Sequence, residues 1–167
     1  MRGVLALRLI LTIDTLRMGG TERVLTHLAN AWRARGHRVT IATLVGPEPP
    51  FYPLNSSIPV ESARLPERSG KGWARGAVNA RRVSHVRRLL LHDRPDVVVA
   101  FSYHVGVLTL LAAVGTGIPV IVRGQHDPSL AGPGLATARR LLYSRASRVV
   151  LLTERMLETL PSALHHR

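Results

Sequence analysis

No cysteine occurs in the 167 residues. That excludes a disulfide scaffold and any thiolate metal site, and it fits a reducing compartment. Acidic residues are scarce, 10 against 23 basic ones, so the formal net charge is +13. Lysine is almost missing too: Lys71 is the sole one, and arginine carries the excess. Aromatic residues make up 4%, too few for an obvious base-stacking platform, which disfavours nucleic acid as a partner. The apolar N-terminal run is broken by Arg8 and followed by no small-x-small cleavage site, so no signal peptide is expected. Residues 97–122 lack Asp, Glu, Lys and Arg, and are long enough on paper to span a bilayer. Ser102, His104, Gly115, Gly117 and Pro119 punctuate that run, which predicts a buried strand, a helix and a second buried strand instead.

What the chain does have is apolar substance. Hydrophobic residues make up 46%, enough for one folded domain with a core. The arginines are spread along the chain, and two readings of them stand: an anionic partner, or surface charge without a target. The densest group, Arg81, Arg82, Arg87 and Arg88, falls on a basic amphipathic helix over residues 77–92, with Val78, Val83, Val86, Leu89 and Leu90 inward. Such a helix suits an acidic lipid surface, so a peripheral membrane contact is expected there.

Periodicity gives the rest. Residues 5–13 read as a fully buried strand, and residues 14–20 as a polar turn. A helix follows, with Val24, Leu25, Leu28, Ala29, Ala31 and Trp32 on one face. Thr21 is expected to cap it, Glu22 and the pair Arg33 and Arg35 suit its two ends, and Gly36 stops it. A strand is expected over residues 39–45. Residues 46–76 hold six prolines and predict a long loop with one short strand near residues 58–61. Beyond the basic helix come a strand at 96–101, an internal apolar helix at 105–114 and a strand at 119–122. A helix at 135–144, a strand at 148–152 and a final helix at 153–160 complete the pattern. This alternation predicts an α/β fold: a Rossmann-like parallel sheet with helices on both faces.

In such a sheet ligands bind beyond the carboxyl ends of the strands, where strand order reverses. Rossmann order brings three loops together there. Gly19 and Gly20 precede a helix start, where bare backbone lets a phosphate or sugar hydroxyl approach free amides; the alternative is a tight turn needing positive φ. Thr21 adjoins them. Ser102 and His104 follow the fourth strand, and His104 is the best catalytic candidate, as a base or a hydrogen-bond partner of substrate; a histidine satisfied by backbone is the plainer alternative. Arg123, Gln125, His126 and Asp127 follow the fifth strand as a polar cluster of separate contacts. No Ser-His-Asp set and no metal-ligand spacing stands out, so no metal is expected.

Four segments carry a resemblance. RMGGTERVLTHLANAWRARGHRVTIATL resembles the opening of glycosyltransferase family 4 proteins with the GT-B fold: a glycine pair, Glu-Arg, an apolar helix, R-G-H and a V-T strand. RPDVVVAFSYHVGVLTLLAA, GIPVIVRGQHDP and RRLLYSRASRVVLLTERMLETLP are similar to later stretches of the same domain, in register. The third departs from the family's usual S-E-R-N-D-P, with Gln125 for an arginine and His126 for an asparagine.

The resemblance implies transfer of a sugar from a nucleotide-sugar donor to a lipid-linked or polysaccharide acceptor. It makes residues 1–167 the N-terminal, acceptor-side domain. A C-terminal domain with a Glu-seven residues-Glu motif holds the donor; that domain is expected to be absent from this chain, which alone would be inactive. The nucleotide sugar enters as co-substrate, and no separate cofactor is implied. In the family's retaining members the glycine-pair loop lies close to the donor diphosphate, which carried over implicates Gly19 and Gly20, and the loops at His104 and at Gln125–Asp127 would border the cleft. The expected setting is cytoplasmic, peripheral to the inner face of the cell membrane. The competing expectation is a non-catalytic module that binds a glycan or an anionic lipid.

Overall fold

A computed structural model describes residues 5–67, 73–124, 133–154 and 156. Its strands are β1 (Arg8–Ile13), β2 (Arg38–Thr43), β3 (Val60–Ser62), β4 (Val97–Phe101), β5 (Val120–Arg123) and β6 (Arg148–Val150). Its helices are α1 (Gly20–Ala34), α2 (Trp73–Asp93), α3 (Tyr103–Ala113) and α4 (Pro133–Leu142), and a 3-10 turn over Tyr143–Arg145 follows α4. The six strands form one sheet in the order β3-β2-β1-β4-β5-β6, and every pairing is parallel. That is the Rossmann order, with its reversal between β1 and β4.

The core has two halves because strand side chains alternate between faces. Leu9, Leu11, Ile13, Val99 and Phe101 face α1, where Leu25 and Ala29 close over them. Ile10, Val98, Ala100 and Val122 face the other way, against Val86 and Leu90 of α2 and most of α3. Helices therefore cover both faces. The uncharged run at 97–122 is β4, α3 and the start of β5, and no helix among the described residues is long and apolar enough to cross a membrane. α3 is buried nearly all round, which is why its sequence shows no polar stripe.

Several boundaries differ from the sequence reading for physical reasons. β1 begins at Arg8, because its ladder to β2 starts at the Arg8–Arg38 pair; Leu5 lies outside it and is 85% exposed. Ile58 is buried without being in a strand, since β3 starts two residues later. α1 stops at Gly36, as expected, where φ is +88°. α2 is longer than expected and begins at Trp73. Its inward face is also less apolar than its valines and leucines suggest: Arg82 and His85 are buried beside Val86 and Leu90. The expected helix at 153–160 lies mostly outside the described residues.

Arg82 explains how the proline-rich loop is held. Its Nε donates to Leu44 O at 3.3 Å, its Nη2 to Pro66 O at 2.7 Å and Glu67 O at 3.3 Å, and its Nη1 to Asn79 Oδ1 at 3.2 Å. Arg87 donates from Nη1 to Ala112 O at 3.0 Å and Val114 O at 2.8 Å, closing the carbonyl end of α3. Two of the four clustered arginines are thus engaged inside the protein, and Arg81 and Arg88 are exposed.

Candidate functional site

Parallel β1, β4 and β5 end side by side at the strand-order reversal, and the residues leaving β1 and β4 meet there. Asp14 is the first residue after β1 and His104 lies in the first turn of α3. His104 Nδ1 stands 3.7 Å from Asp14 Oδ1, with the side chains 37% and 39% exposed. The contact is beyond hydrogen-bond length, so each group keeps capacity for a ligand. The sequence reading missed Asp14. Its signal was available: it is the first charged residue after a buried strand, at the ligand-facing end.

Ser102 joins β4 to α3. It is the N-cap of α3, and its Oγ accepts from Val105 N at 3.4 Å. Its N–H donates to Arg123 O at 3.1 Å, tying the second loop to the third. Its backbone sits at φ +97°, ψ 157°, a region that essentially only glycine favours. Holding a serine there costs about 1–3 kcal/mol. Neighbouring structure supports this bend: Gly106 meets Val122 so closely that a Cβ would stand 2.6 Å from Val122 Cγ1.

The glycine pair begins α1, but not as a positive-φ turn. Gly19 is the N-cap, with extended backbone at φ −176°, and no side chain caps the helix. Thr21 is therefore not the cap; it lies inside the first turn. The first intrahelical bond is Arg23 N to Gly19 O at 3.0 Å, so the amides of Gly20, Thr21 and Glu22 make no i→i−4 bond. The two glycines differ. A Cβ on Gly19 would meet Glu22 Oε2 at 2.1 Å, because that carboxylate folds back over the helix start, whereas a Cβ on Gly20 would meet nothing within 4 Å. Gly20 thus offers open backbone, and Glu22 supplies negative charge where an anionic ligand would sit.

Arg123 ends β5, paired in register with Phe101. Its guanidinium lies over the Phe101 ring, 5.7 Å from the centroid. Burial pushes its pKa down from the usual arginine range. Its Nη1 is buried and has no hydrogen-bond partner among the described residues. A buried N–H without an acceptor is costly, which leaves this one with capacity for an acceptor oxygen. Gly124 follows because Tyr103 requires it: a Cβ there would stand 2.6 Å from Tyr103 Oη. Gln125, His126 and Asp127 lie outside the described residues.

The proline-rich loop reaches the same edge. Arg17, between Asp14 and the glycine pair, forks onto Glu48 and also meets Glu67 at 2.8 Å. Glu48 is held below its usual carboxylate range by that hydrogen bond, and Phe51 N donates to Leu16 O at 2.9 Å. Arg17 positions loops and is not a free cation. Among the described residues no three His, Asp or Glu side chains group as a metal site.

This architecture, a six-stranded Rossmann-like sheet with its loops gathered at the reversal, is that of one half of a GT-B fold. The chain belongs to the glycosyl transferase 4-like domain family, whose pattern matches residues 19–164. No curated protein matches it in sequence. Among solved structures it is similar to Anabaena Alr3699/HepE in complex with UDP and glucose, at 15% identity and a TM-score of 0.60, over 94% of this chain and 41% of that one. It is also similar to the lipopolysaccharide outer core galactosyltransferase WaaB, at 11% identity and a TM-score of 0.65, over 91% and 41%. A third, the UDP-N-acetylglucosamine 2-epimerase of Rickettsia bellii, gives 15% identity and a TM-score of 0.62, over 95% and 43%. The chain spans about two-fifths of the length of each. At these identities the likeness concerns the fold.

Proposed function

We propose that residues 1–167 form the N-terminal, acceptor-side domain of a glycosyltransferase that moves a sugar from a nucleotide sugar to a lipid-linked or polysaccharide acceptor. The observation that carries this is the strand-order reversal, where the Asp14–His104 pair stands at the ends of β1 and β4 and the spare donor of Arg123 at the end of β5. In this reading Gly20, Thr21 and Arg123 face the donor's diphosphate, with Glu22 swung aside. His104 holds or deprotonates an acceptor hydroxyl, and Asp14 orients its ring. Ser102 shapes the bend that presents His104. Gln125, His126 and Asp127 enter as ligand contacts on the sequence resemblance alone.

The family match and the UDP and glucose in the HepE complex support the donor class; WaaB supports an envelope glycan as acceptor. The donor's reacting carbon must be held against the acceptor oxygen, and much of the rate gain comes from that positioning. One domain forms one wall of the cleft, so these residues alone transfer sugar negligibly. Amide-resolved NMR tests the assignment. Titrating an acceptor mimic such as a polyprenyl phosphate shifts the Gly19–Gly20, His104 and Gly124 amides. Shifts confined to other regions would defeat the reading, and robust turnover of a nucleotide sugar by this chain alone would defeat the two-domain account.

The second reading, a module that binds a glycan or an anionic lipid without catalysis, draws on the solvent exposure of Asp14 and His104. It predicts the same shifts, with no turnover even when a donor-binding domain is supplied.

A further inference from the structure

The end of the sheet opposite these loops carries a separate concavity. A cavity of about 620 Å³ opens between the starts of β1 and β2, the residues entering β3 and the last turn of α2. The strand β1 separates it from the candidate site: six residues at about 3.3 Å each place the two roughly 20 Å apart. Its volume is that of an ordinary small-molecule pocket, about 300–1,000 Å³.

The lining divides by chemistry. Leu9, Ile10 and Leu89 give it apolar walls, and Arg8, Arg38 and Arg88 bring three guanidinium groups. The guanidinium groups of Arg38 and Arg88 form no hydrogen bond or ion pair with any described residue. The Arg8 guanidinium donates from Nη1 to Asp93 O at 3.4 Å, which also offsets the negative carbonyl end of α2. Two carboxylates oppose them. Asp93 Oδ1 lies 2.7 Å from His92 Nδ1, in hydrogen-bond contact, while Glu61 stands on the exposed side. Arginine pairs of this kind suit the fixed geometry of phosphate oxygens, and the apolar walls suit a ring or a chain attached to it.

We propose that this cavity binds a phosphomonoester, its phosphate between Arg38 and Arg88 and its apolar part against Leu9, Ile10 and Leu89. The site is independent of the sugar-transfer cleft, since no residue is shared between them.

Isothermal titration of the chain at low salt tests it, with AMP as the free phosphomonoester and phosphatidic acid vesicles as the headgroup source. Arg38→Ala/Arg88→Ala alters two exposed side chains, and a thermal melt confirms that the variant folds. The expected result is binding of AMP, of phosphatidic acid vesicles, or of both, that weakens at least tenfold in the double variant and is unchanged in Arg145→Ala, which removes an exposed arginine outside the cavity. AMP alone would assign a soluble ligand, and vesicles alone a lipid headgroup; either keeps the site. Binding of neither probe, binding equal in the double variant and the parent, or binding lost equally in Arg145→Ala would overturn it.

Discussion

Arg82 and Arg123 are both arginines drawn out of water, and they are served in opposite ways. Arg82 on α2 is 2% exposed, and three carbonyls and an amide oxygen take its donors. Arg123 at the end of β5 lies on an aromatic ring, with Nη1 buried and unanswered among the described residues. A buried cation surrounded by protein acceptors holds the fold together. One with a spare donor at a ligand-facing edge is available to something that is not protein. The first pins the proline-rich loop to α2, and the second faces the proposed cleft.

The largest expected effect comes from breaking the first. Arg82→Met should lower stability by about 2–4 kcal/mol, because carbonyls that it serves lose a charged donor. Urea unfolding reads this directly, and a loss near zero would mean that water replaces the guanidinium without cost. Arg123→Gln should do the reverse. Its stability should change by less than about 1 kcal/mol, since the deleted N–H had no partner to lose. Affinity for UDP in a complete two-domain enzyme should fall about tenfold. Equal affinity would remove Arg123 from the donor site.

Smaller changes sharpen the contrast at the reversal. Ser102→Gly should raise stability by up to about 1 kcal/mol, relief of the φ +97° backbone outweighing the loss of a long cap bond. Gly20→Val should leave stability nearly unchanged, within about 0.5 kcal/mol, because a Cβ there meets nothing within 4 Å. It should weaken diphosphate or acceptor binding several-fold, and lost stability with unchanged affinity would reassign the glycine to folding alone. The slightest effect concerns His85, buried one turn beyond Arg82. Burial lowers its pKa from 6.5, with Arg88 adding to the shift and Glu61 opposing it. The unfolded chain therefore takes up the proton first as pH falls. Stability should decline from pH 6.5 toward the lower folded value and level off below it, and His85→Gln should flatten that segment of a stability–pH curve.

Much of the fold was legible because its signals are local. Three consecutive valines in β4, the stripe of α1 and Gly36 announce their elements in the order they occur. The candidate site was legible as loops, since Gly19, Gly20, Ser102, His104 and Arg123 sit at the ends of recognisable strands. Asp14 and Arg17 were passed over inside a turn because their partners, His104, Glu48 and Glu67, are brought to them only by the fold. The misjudged arginines have the same cause. Nothing in the pattern around residues 81–88 says that Arg82 meets the carbonyls of Leu44 and Pro66, or that Arg87 closes α3. A basic stripe expected to lie on a membrane is left with Arg81 and Arg88 as its exposed charges.

The position of β1 in the middle of the sheet also constrains how the chain is made. β1 leaves the ribosome well before β4, which is one of its two neighbours, and the Arg8 and Asp96 that meet beside that ladder are 88 residues apart. Until β4 emerges, a nascent chain presents β1 with one ladder filled by β2 and the other bare. Non-local parallel pairing of this kind is slow, and its open edge invites pairing with other chains. The span of synthesis between Thr43 and Val97 is thus an interval in which one edge of β1 stands bare, and a pause before β4 emerges prolongs that exposure.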